Sequence, residues 1–181
     1  VLATSLDDGG LNLAQIGPER RLSELEFDFS VSRIDIRKLN HTLDQAAGSS
    51  LQPLQISDCR GFITGVIDLV FEHDGRYYLA DYKSNHLGFS LDDYAPNALR
   101  QAVLDRRYDL QYLIYSLALH RYLKLRLPDY DYETHFGGAY YPFLRGMRAE
   151  QGNRYGVYFE RPTLRLIETL DAEVFNAGVV S

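Results

Sequence analysis

Two aspartates and a lysine are the residues of this sequence best suited to act together: Asp68, Asp81 and Lys83. Between them lies Asp74-Gly75, a dipeptide favoured in the two-residue type I′ hairpin turn, whose antiparallel register sets Asp68 directly opposite Asp81. Strand alternation then puts Asp68 on the face of Val66 and Val70, and Asp81 on that of Leu79 and Lys83. Directly opposed Cβ atoms lie roughly 4.5–5.5 Å apart, where like charges destabilise a sheet. A divalent cation would offset that repulsion, since Mg2+ takes hard oxygen ligands, commonly one or two carboxylates with several waters. Lys83 can reach the same pocket, where its ammonium could orient or deprotonate a water attacking a phosphodiester, or offset charge on a phosphorane-like transition state. A structural Asp81–Lys83 ion pair with a solvated Asp68 accounts for the same residues, and on spacing alone both readings stay open.

Other polar residues could join them. Glu24 and Glu26 share the polar face of a strand, so either could supply a further oxygen near a metal; a merely exposed face would look the same. Gln111 and Tyr115, spaced i, i+4, lie on one helix face, where amide and phenol could bond a DNA backbone or brace the carboxylates. His41, His73, His86, His120 and His135 show no metal-ligand spacing and read as structural or exposed. The sequence holds no G-x-x-x-x-G-K-[ST] phosphate loop and no G-x-S-x-G elbow, which excludes an ATPase motor and a serine hydrolase of those types.

The elements that must position these residues follow from periodicity. Residues 21–29 alternate, with Leu25, Phe27 and Phe29 on one side and Glu24, Glu26 and Asp28 on the other, as a half-buried strand does. Residues 61–72 and 76–83 form the hairpin around Asp74-Gly75. Ser90 followed by Asp93 resembles a capping box opening a helix to about Arg107, and a second helix runs over about 108–125, stopped by Pro128. Residues 34–47 read as a short helical or irregular connection, and Gly48-Ser49-Ser50 with Pro53 as a loop. Residues 138–144 and 155–160 read as two further strands, and 163–175 as a closing amphipathic helix. Residues 1–18 have no obvious element start and read as the beginning of a fragment. The mixture predicts an α/β or α+β class with one sheet covered by helices.

A chain of 181 residues with 45% hydrophobic and 24% charged residues suits one domain with a sizeable core. Aromatic content rests on Tyr (14) and Phe (9) with no Trp, so much of the buried surface carries hydroxyls that need partners. The single cysteine, Cys59, excludes an internal disulfide or a multi-cysteine cluster and fits a reducing, cytoplasmic setting. No run approaches the roughly 20 apolar residues of a membrane span, and the first residues lack the basic start of a signal peptide. The net charge of −6 argues against a general nucleic-acid-coating protein. Locally the balance reverses over 97–127, where Arg100, Arg106, Arg107, Arg121, Lys124 and Arg126 form either a phosphate-facing stripe or a solvated helix face.

The runs Gly65-Val-Ile-Asp68 and Asp81-Tyr-Lys83-Ser-Asn resemble the signature of RecB-type nucleases, in which G-x-x-D on one strand and D-Y-K-S-N on the next make the active site. Residues 108–122 resemble that family's Q-x-x-x-Y helix through Gln111 and Tyr115, and residues 129–138 with Phe143-Leu-Arg-Gly146 are also RecB-like. The similarity covers most of the chain from about Leu22 onward. It implies the PD-(D/E)XK class: an α/β fold with a restriction-endonuclease-like core, a mixed central β-sheet flanked by helices, in a single RecB-type nuclease domain over 1–181. It also implies that Asp68 and Asp81 are metal ligands with the Tyr82 backbone carbonyl as a third, and that Lys83 is the catalytic lysine. Glu24 becomes the acid of the upstream strand, with Glu26 in the same orientation, and Gln111 with Tyr115 an accessory pair. The implied cofactor is Mg2+, with Mn2+ or Ca2+ able to take its place in binding.

The same resemblance implies a metal-dependent deoxyribonuclease of the exodeoxyribonuclease V type, acting in double-strand break repair on single-stranded DNA as motor subunits unwind it. Its implied partners are the RecC and RecD subunits and RecA, with no membrane. The family places a metal-binding histidine on a helix upstream of the Glu strand, and residue 1 falls after it and after the helicase domains. Weak metal binding by the isolated fragment is therefore expected. Relatives with four cysteines hold an iron–sulfur cluster, which a chain with Cys59 alone does not. A competing expectation, drawn from the acidic charge and the missing helix, is a partner-docking module with little activity of its own.

Overall fold

Asp74 and Gly75 have φ of 51° and 75°, the two left-handed positions of a type I′ turn, and Glu72 Oε1 accepts a hydrogen bond from Gly75 N at 2.7 Å. This turn joins β2 (Gly61–His73) to β3 (Arg76–Ala80). Their antiparallel register runs from His73↔Arg76 to Leu69↔Ala80, as the turn dictates. The computed structural model describes residues 2–31, 34–48, 51–55 and 61–175; Cys59 and the Ser49-Ser50 part of the expected loop lie outside them.

Around the hairpin the sheet has the order β1-β2-β3-β4-β5. The first strand, β1 (Arg21–Val31), runs antiparallel to β2. On the other side β4 (Phe136–Pro142) lies parallel to β3, and β5 (Val157–Glu160) returns antiparallel to β4. This is a mixed sheet with flanking helices, the α/β arrangement expected.

Residues 34–47, left between helix and irregular connection, contain a regular helix, α1 (Ile36–Ala47). Asp35 caps it by accepting from Lys38 N, and Gly48 ends it at φ 65°. The helix expected from Ser90 to about Arg107 is split. The Ser90–Asp93 capping box serves a single 3-10 turn at Leu91–Tyr94, and α2 (Pro96–Asp105) starts afresh. Pro96 supplies no N–H to continue the first turn and drives Ala95 to an extended ψ of 160°. Arg107, at φ 56°, then separates α2 from α3 (Tyr108–Arg126). The one-turn α4 (Tyr132–His135), capped by Asp131, was not expected. The closing helix begins as α5 (Leu164–Thr169) and widens into a π turn over Leu170–Val174.

Both faces of the sheet are covered. Leu43, Leu99, Leu113, Leu117 and Ile167 from the helices bury Val70, Leu79, Ala139 and Tyr141 on one face. On the other, Leu6, Leu11, Leu13 and Ile16 bury Leu69, Phe71, Ala80 and Tyr140. Residues 2–18, in a segment that shows no obvious element start in the sequence, thus form an apolar cover over this face, through Leu6, Leu11, Leu13 and Ile16. No described helix is long and apolar enough to cross a membrane.

Candidate active site

Beyond Ala80 the strands β2 and β3 part, and β4 guides the chain instead. Asp81 N donates to Tyr140 O at 3.0 Å, Lys83 N to Pro142 O at 2.9 Å, and Leu144 N to Lys83 O at 2.9 Å. Tyr82 N therefore points back toward β2 without a ladder carbonyl. The Asp68 side chain fills the gap, its Oδ2 accepting from Tyr82 N at 2.8 Å. The two acids sit together at the open end of the hairpin, and the ladder itself stops one residue short of pairing them.

The pairing of β2 with the neighbouring strand β1 is interrupted at the same level. Ser23 pairs with Leu69 and Leu25 with Ile67, while Glu24, bracketed beside Asp68, takes part in no pair and has φ 56°. A non-glycine residue held there costs on the order of 1–3 kcal/mol and is tolerated where the surroundings enforce it. Side-chain alternation slips here: Ile67 and Val70 both enter the helix-side core, whereas Leu69 and Phe71 enter the other. Val66, expected on the face of Asp68 and Val70, is consequently 42% exposed. Glu26 pairs with Val66, so of the two upstream acids it is Glu24 that stands level with Asp68; both are exposed.

Lys83 and Asp81 are buried in mutual contact. The Lys83 Nζ also donates to Gln111 Oε1 at 2.7 Å, and it lies 3.9 Å over the Tyr108 ring and 4.7 Å over the Tyr141 ring, a cation–π cage. Gln111 Oε1 accepts in addition from Tyr141 OH at 3.2 Å, and its Nε2 donates to Asp81 Oδ1 at 3.4 Å and to Tyr115 OH at 3.1 Å. Only this orientation of the amide keeps its NH2 group away from the ammonium. Tyr108, Gln111 and Tyr115 follow i, i+3 and i+7 along one face of α3. Gly65 makes room for the last of them, since a Cβ there would lie 2.6 Å from Phe27 Cζ and 3.3 Å from Tyr115 Cε1.

Burial pushes the Asp81 carboxyl above its ordinary range; Lys83 opposes that shift and the Asp68 charge adds to it. A buried acid whose ionisation is made costlier by a neighbouring carboxylate marks a place where a cation is favoured. Burial likewise raises the Tyr115 hydroxyl, with Gln111 opposing and Asp81 and Asp68 reinforcing, and holds the Tyr141 hydroxyl well above its usual value. Both phenols therefore act as protonated hydrogen-bonding groups.

Asp68, Asp81, Lys83, Gln111 and Tyr115 converge with the backbone of Tyr82, and Glu24 stands at the margin. Sequence reasoning missed Tyr108 and Tyr141. The i, i+3 spacing of Tyr108 from Gln111 was a usable signal, whereas Tyr141 arrives only through the parallel pairing of β4. The basic stripe is not continuous: Arg100 bonds Ala47 O, Arg107 bonds Asp109 and Gln52 O, and Arg121 bonds Asp171. Among the described residues no group of three or more His, Cys, Asp or Glu is placed to hold a metal. The carboxylate donors here are Asp68 and Asp81, a hard-oxygen pair that fits Mg2+ if backbone carbonyl and water complete the shell.

A family model described as the PD-(D/E)XK nuclease superfamily matches residues 13–176. The chain is similar to the RecBCD enzyme subunit RecB of Haemophilus influenzae, 45% identical over 163 residues that cover 90% of this chain and 13% of that protein. Against RecB of Escherichia coli K12 the identity is 44% over 174 residues, covering 94% and 15%. Against RecB of Mycobacterium tuberculosis H37Rv it is 34% over 191 residues, covering 88% and 17%. The chain thus spans only 13–17% of the length of these relatives.

Proposed function

The chain belongs to the PD-(D/E)XK nuclease superfamily, and from that premise we propose that it is a Mg2+-dependent nuclease domain hydrolysing phosphodiester bonds of unwound single-stranded DNA. The observation that carries this reading is the buried Asp81–Lys83 pair, braced by Gln111 and set beside Asp68 where two strands part. A purely structural ion pair needs neither the second carboxylate nor the bracing amide.

Asp68 and Asp81, with the Tyr82 carbonyl, would hold the cation, and Mn2+ or Ca2+ suits the same oxygen donors. The chemistry such an ion supplies is Lewis-acid polarisation of the scissile phosphoryl group. Lys83 contributes a fixed positive charge beside that group, and its ring cage and Gln111 hold the ammonium in place before substrate arrives, so little reorganisation is needed as charge develops. Tyr115, which accepts from Gln111, keeps its own proton available for a phosphate oxygen. Glu24 supplies an acid from the adjoining strand at the mouth of the site.

The relatives named as RecB subunits of a RecBCD enzyme support placing the chain in such an assembly, with RecC and RecD as partners and DNA repair as its setting. The test is cleavage of an end-labelled single-stranded oligonucleotide by the chain with and without Mg2+. Cleavage should require the metal and fall at least about 100-fold in Asp68→Asn, Asp81→Asn and Lys83→Gln. Wild-type cleavage by Asp81→Asn would overturn the proposal.

A further inference from the structure

The loop that leaves Lys83 for the turn at Leu91–Tyr94 is pinned along its length. Arg145 Nε donates to Ser84 O at 2.8 Å, Tyr108 OH to Asn85 Oδ1 at 3.0 Å, Leu87 N to Tyr94 OH at 3.1 Å, and Ser90 N to Asp93 Oδ2 at 2.8 Å. Gly88 lies so close beneath the capping group that a Cβ there would come within 2.0 Å of Asp93 Oδ2. On this fixed loop the Phe89 side chain is 100% exposed. The exposed His86 ring packs against it edge-on, with centroids 4.7 Å apart and planes at 67°. Single exposed apolar residues are common on protein surfaces. Here two rings are paired on an anchored loop, and His86 stands three residues from Lys83, a reach of about 10 Å at full extension.

We propose that His86 and Phe89 form a stacking platform for an unpaired base of the strand whose phosphate lies at Lys83, a specificity element that rests on the nuclease reading. Tyr108 connects the two places: its ring covers Lys83 Nζ and its hydroxyl holds Asn85, the residue before His86. A base in a single strand offers its π face to an aromatic ring whatever its identity, whereas in a duplex both faces are covered by neighbours. Arg145, exposed and tied to Ser84, places a cation beside the platform for the sugar–phosphate chain, and that combination of rings and positive charge suits single strands.

The test is binding without divalent cation, so that nothing is cut and the outcome is independent of the cleavage assay. Phe89→Ala should bind labelled oligothymidylate roughly 10-fold more weakly and an abasic strand of equal length unchanged. The sequence contains no tryptophan, so Phe89→Trp installs a lone reporter. Its fluorescence should be quenched by oligothymidylate and not by the abasic strand, with affinity retained. Unchanged affinity in Phe89→Ala, equal weakening toward the abasic strand, or an unquenched reporter with strand bound would each overturn the platform. A wild-type chain that binds neither strand would overturn the nuclease reading with it.

Discussion

Gln111 Oε1 accepts a hydrogen bond from Lys83 Nζ at 2.7 Å, so α3 is fastened to the chain leaving β3 at a buried ammonium. An amide suits this position because it offers an acceptor to the lysine and a donor to Asp81 and Tyr115 at once. A carboxylate would satisfy the lysine and repel Asp81.

On the proposed nuclease reading Gln111 is a positioning residue, and Gln111→Ala should then lower kcat about 10- to 100-fold, the usual effect of losing a partner that orients a metal ligand. KM for a single-stranded oligonucleotide should change little. Steady-state kinetics in Mg2+ checks this, and a raised KM with unchanged kcat would instead place Gln111 in substrate binding.

Lys83→Met keeps much of the stem and removes the charge, leaving Asp81 buried without its partner. Breaking such a pair costs about 3–5 kcal/mol. Without Lys83, burial and Asp68 push the Asp81 carboxyl up unopposed. The native state then binds more protons than the unfolded chain between the ordinary carboxyl range and the raised value, so stability falls as pH rises through that interval. Urea unfolding should show a larger deficit at pH 7 than near pH 4, and adding Asp81→Asn should recover most of it.

Gly65→Ala pushes a methyl group against the tip of the Phe27 ring and the edge of Tyr115. Phe27 sits partly buried on the outer strand and can shift, so the cost should lie near the low end of overpacking, about 1 kcal/mol. Displacement of Tyr115 should reduce cleavage further than that loss of stability accounts for. Melting temperature and activity measured on one preparation separate the two effects.

His120 is buried against α3's neighbours, with Nδ1 3.0 Å from Tyr130 OH. Burial first, then Lys124, holds its pKa below the ordinary 6.5, although Asp171 and Glu168 oppose. The native state therefore takes up fewer protons than the unfolded chain as pH drops below that value. Its contribution to stability is present above the unfolded pKa and is lost as pH falls toward the folded one. The melting temperature should drop between pH 7.5 and pH 5.5, and His120→Gln should flatten that drop; an equal drop in both proteins would remove His120 as its source.

Much of the site was legible because its signals are local. Asp74-Gly75 fixes a turn type, the turn fixes a register, and the register brings the Asp68 and Asp81 ends of two strands together. The i, i+4 spacing likewise places Gln111 and Tyr115 on one helix face. The capping box at Ser90 was equally real and misled about length, because Pro96 restarts the helix five residues after the cap residue would have opened it.

Sequence by itself determined the hairpin, the helix face that meets it and the identity of the chemical groups, since each depends on residues within a few turns of one another. Only the tertiary structure decided that β4 runs parallel beside β3. That pairing draws Asp81 and Lys83 away from β2, lets Asp68 bond the Tyr82 amide, and delivers Tyr141 to the lysine. It likewise decided that Glu24 adopts a left-handed backbone at the level of Asp68 and that residues 2–18 cover a sheet face. These outcomes balance a local cost against burial supplied by distant segments, and no window of sequence contains both sides of that balance.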